Sequence, residues 1–118
     1  MREGQALWRP NRSRPELAGE LMVAARTNGD LFIQFAKPPF TLATAQITHC
    51  RWQIEFGQPG RAWSGHGEPP ARFIWFALGR ILDGKDSNRN WRYTGDVGGA
   101  WRLENLRTGE TLEGRFFP

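Results

Sequence analysis

Hydrophobic and polar positions alternate in short stretches along most of this chain, and one long apolar run breaks the alternation. Glu20 to Arg26 (ELMVAAR), Leu31 to Ala36 (LFIQFA), Thr41 to Ile47 (TLATAQI), Cys50 to Phe56 (CRWQIEF) and Arg61 to His66 (RAWSGH) each carry the period of two that predicts a β-strand. The clearest is Cys50 to Phe56. Cys50, Trp52, Ile54 and Phe56 face one way and Arg51, Gln53 and Glu55 the other, the signature of a strand with one face buried in an antiparallel sheet. Three more strands are expected at Trp91 to Thr94, Ala100 to Leu106 and Thr111 to Phe117.

Turn chemistry separates these stretches. Asn28-Gly29 tolerates the positive φ of a tight hairpin, and Lys37-Pro38-Pro39-Phe40 interrupts pairing because proline has no N–H to donate. Gly57-Gln58-Pro59-Gly60, Asp96-Val97-Gly98-Gly99 and Arg107-Thr108-Gly109-Glu110 are further turns, and Asp83 to Asn90 is the most polar loop.

The exceptional run is Pro69 to Gly84, PPARFIWFALGRILDG, read as the chain's one helix, with Pro70 in its first turn and Asp83-Gly84 as its stop. Projected at 3.6 residues per turn, its apolar side chains cover an arc of roughly 200°. One flat contact is too narrow for that arc, whereas the hollow of a curved sheet would bury it. Phe76 falls in the remaining polar arc near Arg72 and Arg80 and is the expected contact for a partner. At period two the same run would instead be a strand buried on both faces. The expected fold is mainly β with one helix: a strongly curved antiparallel half-barrel of about eight strands wrapped on that helix, in the order five strands, helix, three strands. Residues 1–18 are expected as a loose lead-in and 19–118 as a single domain.

Composition changes this picture little. A chain of 118 residues suits one core. The net charge of +4 sits mostly at the start, where Arg2, Arg9, Arg12 and Arg14 oppose Glu3. Nucleic-acid binding on a sheet needs aromatics and cations exposed together, but alternation sets Trp52, Trp91, Tyr93 and Trp101 opposite their neighbouring arginines. Cys50 is the one cysteine and is expected as a small buried hydrophobe. His49 beside it supplies a base, yet neighbours on a strand face opposite ways, so no catalytic pair is expected. Asp83, Asp86 and Asn88 faintly echo a calcium loop without its closing acidic residue. No catalytic residue, cofactor or metal is expected, and no apolar stretch is long enough to span a membrane. An export signal, where one exists, is not in this sequence.

The stretch from Gly19 to Leu82 resembles the LolA and LolB family of lipoprotein carriers and acceptors. Gly19-Glu20-Leu21 is similar to the Gly-x-Leu that opens its first strand, Pro39-Phe40-Thr41-Leu42-Ala43 to its kink, Cys50 to Phe56 to its Gly-x-Trp-x-Leu strand, and Ala71 to Leu82 to the helix that plugs its half-barrel. Thr41 stands where the family has glycine, and there is no lipobox cysteine near the start. The resemblance implies an open curved sheet lidded by helices that shelters acyl chains in the periplasm or at the inner leaflet of the outer membrane.

On that basis the expected function is non-enzymatic binding of lipid acyl chains or lipoproteins. Leu31, Ile33, Phe35, Leu42, Trp52, Ile54, Phe73, Trp75 and Leu78 would line the hollow, with Phe40 at its mouth. The alternative is a fully packed interaction module of an envelope complex, using an edge strand or the Arg-rich start as its contact. A single-stranded nucleic-acid module is the third reading.

Overall fold

The computed structural model describes residues 1–57, 60–84, 90–95 and 99–118. Among these residues nine strands and one helix follow in chain order: β1 (Arg2–Arg9), β2 (Leu17–Ala25), β3 (Leu31–Lys37), β4 (Phe40–Thr48), β5 (Arg51–Phe56), β6 (Arg61–His66), α1 (Ile74–Leu82), β7 (Trp91–Gly95), β8 (Ala100–Asn105) and β9 (Thr111–Phe116). All nine strands form one antiparallel sheet in the order β6-β5-β4-β3-β2-β1-β9-β8-β7, which is not closed. The expected fold, a curved antiparallel sheet on a helix, is what the structure shows.

The start of the chain is a correction. Residues 1–18 are no loose lead-in: β1 lies in the middle of the sheet, pairing β2 through Gly4↔Leu21 and Ala6↔Gly19, and β9 through Gly4↔Phe116 and Ala6↔Gly114. Gly4, Ala6 and Trp8 are buried while Glu3, Gln5 and Leu7 are exposed, so the stretch does alternate. Glycine and alanine on the inner side hide that pattern from a reading keyed to large apolar residues.

These small residues are needed where they stand. A Cβ on Gly114 would run into the Gln5 carbonyl, and one on Gly19 would stand 2.7 Å from the Ala36 carbonyl and 2.9 Å from the Phe35 ring. Backbone cannot move aside as a flexible side chain can, so the sheet bends sharply only where Cβ atoms are absent. Bending is required, because α1 touches both β3 and β8, which three strands separate within the sheet.

The helix is shorter than the apolar run suggests. It begins at Ile74 rather than in the turn of Pro70, with Phe73 as its N-cap. Its stop is as expected. The Asp83 N–H donates to the Gly79 carbonyl (3.1 Å), the Gly84 N–H donates to that of Ile81 (3.0 Å), and Gly84 takes a φ of 77°. Ile74 through Gly79 are all buried. Phe76 is 2% exposed, its ring 6.1 Å from that of Trp52 and 6.2 Å from that of Phe73, so its assignment to a polar, partner-facing arc is overturned. The curved sheet encloses more of the helix than the projected arc. Arg72, whose charge marks that arc as polar in the projection, precedes the helix and lays its guanidinium 4.7 Å over the Phe73 ring.

Two strand boundaries also differ. Lys37↔Phe40 closes the β3–β4 hairpin around Pro38 and Pro39. A register shift follows, since Phe35 pairs Ala43 and Ala36 pairs Thr41, which leaves Leu42 as the extra residue of a bulge. Cys50, expected to open a strand, is instead a turn residue with His49 between Thr48 and Arg51, and the two take φ of 61° and 52° respectively. Positive φ at both positions is the geometry of the two-residue hairpins that match sheet twist. The turn Asp96-Val97-Gly98 and the calcium-like positions Asp86 and Asn88 lie outside the described residues.

Candidate functional site

The hollow that the sequence suggests as a ligand chamber is occupied by side chains. Trp75 of α1 sits between Trp8 and Phe35, with ring centroids 5.2 and 5.4 Å away, and Trp8 continues to Phe56 at 6.1 Å. On the other flank of the helix Phe73 meets Trp52, Phe56 and Trp63 at 5.7 to 6.5 Å. Of the residues expected to line a hollow, Ile33, Phe35, Ile54, Trp75 and Leu78 are each no more than 1% exposed, and they pack into one core with Phe73. Trp52 and Leu42 are half-buried against it, and Phe40 stands at the β3–β4 hairpin tip, 61% exposed. Leu31 and Phe76 have a further role.

Both line a cavity of about 380 Å³ where the trough opens beside the C-terminal end of α1. Its walls come from four places that the fold gathers. The β2–β3 hairpin contributes Ala25, Arg26, Asp30 and Leu31, and the β4–β5 hairpin contributes Ile47 and Cys50. The segment after β6 adds Glu68 and Pro69, and α1 adds Phe76, Gly79, Arg80 and Asp83. Leu31, Ile47 and Phe76 make an apolar floor beneath a rim charged with both signs. Gly79 permits this packing, because a Cβ there would stand 2.5 Å from the nearest Leu31 methyl.

The rim charges differ in how firmly they are held. Asp30 is fixed: its carboxylate accepts from the His49 backbone N–H at 3.2 Å and from the Asn28 amide at 3.3 Å, which ties the two hairpins together. Arg80 donates to Glu68 at 2.9 Å, but these side chains are 44% and 81% exposed. An ion pair that wet is worth little, so an incoming carboxylate or phosphate can replace Glu68 at small cost. The Cys50 thiol is exposed, contrary to the buried position expected for it, because its turn carries it out of the alternating strand. Among the described residues, no group of three or more His, Cys, Asp or Glu side chains is placed to hold a metal ion. A larger but more open recess of about 710 Å³ lies over β1, β2, β8 and β9, between Leu7, Ala18 and Trp101.

Among the described residues, the titratable group with a clear shift lies at the other end of the sheet. Burial pushes the Glu110 carboxyl up to about 7, against the lowering effect of the hydrogen bond that it accepts from the Trp8 indole.

Sequence reasoning found Leu31 but missed Ile47, Gly79 and the rim. One signal was available: Asn28-Gly29 marks a hairpin and therefore brings Arg26 next to Asp30. The His49-Cys50 turn lacks the usual Asn-Gly signature, and without it nothing places Cys50 near the helix. No family model, no curated protein and no solved structure matches this chain.

Proposed function

We propose that this chain is a non-enzymatic binding protein that takes an amphipathic ligand, an acyl chain or acylated peptide, end-on into the cavity beside the C-terminus of α1. The observation that carries the reading is the cavity itself, about 380 Å³ with Leu31, Ile47 and Phe76 below and Arg26 and Arg80 at the mouth. Ligand pockets combine an apolar body with a few convergent polar groups, and roughly 300 Å³ is the lower end of their range. The ligand's tail occupies the floor while its head exchanges with Glu68 at Arg80. The filled trough argues against a chain lying along the sheet. Following the resemblance to lipoprotein carriers, the compartment proposed is the periplasm or the inner leaflet of the outer membrane.

A second reading rests on the same packing. Trp8, Phe35 and Trp75 fill the interior so closely that the domain also suits a solid interaction module of an envelope complex, using its outer surface alone. A fluorescent fatty-acyl probe separates the two, combined with mass spectrometry of lipid extracted from the purified protein. Saturable probe binding that Ala25→Phe blocks at the cavity mouth is the expected result. Absence of both lipid and saturation rejects the cavity reading and leaves the packed module.

A further inference from the structure

Antiparallel order sends the β1–β2, β3–β4 and β8–β9 connections to one end of the sheet, and those connections share a composition. Arg9, Arg12 and Arg14 lie at the first, Lys37 at the second and Arg107 at the third, with Arg61 opening β6 at the same end. Opposing them are the exposed Glu16, Glu55 beside Arg61, Glu104, which Arg92 already holds, and Glu110, whose charge burial suppresses. Among the described residues the ion pairs are Arg80–Glu68, Arg92–Glu104 and Arg102–Glu113; the second lies at this end beside the β8–β9 turn, and none of the three takes up Arg9, Arg12, Arg14, Lys37, Arg61 or Arg107.

Two of the tips are in direct contact. Arg12 lies across Gly109 in the space a side chain would fill there, which fixes the β1–β2 loop against the β8–β9 turn and sets Arg12 near Arg107. Arg9 Nε donates to the Arg14 carbonyl at 3.1 Å, while Asn11 Oδ1 accepts from the Ser13 N–H at 3.0 Å, so the loop is internally braced. Two large apolar side chains stand at the same end without cover: Phe40, 61% exposed, and Leu106, 48% exposed next to Arg107.

We propose that this end of the sheet docks on an anionic phospholipid surface, with Arg12, Arg14 and Arg107 at headgroup phosphates and Phe40 and Leu106 entering the acyl boundary. Guanidinium forks bind phosphate oxygens in pairs, and basic residues near an anionic bilayer each add attraction that falls off within a Debye length. Exposed apolar side chains flanked by cations suit the boundary between headgroups and chains. A polynucleotide would satisfy the arginines but has no use for Leu106, and the hairpin tips form an outward-facing end rather than a groove that tracks a strand. The cavity lies at the opposite end and takes no part, so this inference stands or falls apart from the proposed ligand.

Flotation with vesicles tests it. The full chain is expected to float with mixed phosphatidylglycerol and phosphatidylcholine vesicles, to stay behind with phosphatidylcholine alone, and to release at high salt. Each of Arg12→Ser, Arg14→Ser and Arg107→Ser lowers partitioning about five-fold, the equivalent of ~1 kcal/mol per charge. The pair Phe40→Ser with Leu106→Ser lowers it several-fold at unchanged charge, and Arg51→Ser at the far end leaves it unchanged. All of these side chains are exposed, and only Arg12 also braces a loop, so Arg14→Ser and Arg107→Ser keep the parent's unfolding midpoint and carry the test where Arg12→Ser lowers it. Equal binding to neutral vesicles, or an Arg51→Ser loss as large as that of Arg12→Ser, overturns the proposal. So does an unaffected Phe40/Leu106 pair with salt-sensitive retention of single-stranded DNA, which assigns the arginines to nucleic acid instead.

Discussion

The indole N–H of Trp8 donates to a carboxylate oxygen of Glu110 at 3.0 Å, joining β1 to the turn before β9 across 102 positions of sequence. Trp8 is also the ring on which Phe35, Phe56 and Trp75 converge, so one side chain links the aromatic core to the strongly shifted Glu110 carboxyl.

That carboxyl predicts an inverted pH dependence. Its folded value of about 7 lies above the ordinary 4.5, so the folded state binds the proton more tightly. The stability this confers is complete below about pH 4.5 and is lost as pH rises through 7, a change of at most about 3 kcal/mol. Urea midpoints of the parent are expected to fall between about pH 5 and about pH 8. Glu110→Gln should flatten that fall and be the more stable protein at the higher pH. Identical slopes for the two would remove Glu110 as the cause.

The indoles should respond unequally to loss of their N–H. Trp75 Nε1 is buried without an acceptor among the described residues, whereas Trp8 Nε1 has Glu110. Replacing an orphaned donor removes a desolvation cost, while replacing a paired one strands a carboxyl. Trp75→Phe is therefore expected to lose about 1 kcal/mol less than Trp8→Phe in chemical unfolding. The reverse order would show that ring volume outweighs the hydrogen bond.

Curvature predicts which glycines resist substitution. Gly114→Ala drives a Cβ into the Gln5 carbonyl and is expected to cost about 2 kcal/mol or more. At Gly99 a Cβ meets nothing within 4 Å, so Gly99→Ala should be within about 0.5 kcal/mol of the parent. Thermal melts of both variants read the contrast directly.

Phe76→Ala is expected to destabilise by about 3 to 5 kcal/mol, as large-to-small changes do in a packed core. A surface contact for a partner would change stability by only a few tenths. Equilibrium unfolding therefore distinguishes the buried Phe76 of the structure from an exposed one.

Cys50 offers a reporter for the cavity. An exposed thiol in a turn should react fully with an aromatic disulfide reagent in the native state, and a ligand seated above Leu31 and Phe76 should slow it. A rate unchanged at saturating acyl probe would place that probe elsewhere.

The fold was legible wherever large apolar residues alternate with charged ones. Cys50 to Phe56 announces β5 without help, and Pro69 to Gly84 announces a buried helix. β1 was not legible, because Gly4 and Ala6 are small for the sake of curvature and carry no hydrophobic signal. Within the candidate site, Leu31 could be read from β3, but Ile47, Cys50 and Arg80 meet it only through a two-residue turn and the path of the helix.

Local chemistry by itself determined the strands other than β1, the hairpin at Asn28-Gly29, the helix stop at Asp83-Gly84 and the need to bury a wide apolar arc. These follow from side-chain period and backbone constraint, which act over a few residues. Only the tertiary structure decided that the hollow is filled by Trp75 and Phe73, that Phe76 is inside, that the cavity lies at one end and the arginine-rich connections at the other. Those outcomes depend on how far the sheet bends, and bending is set by close approaches such as Gly114 to Gln5 between strands distant in sequence.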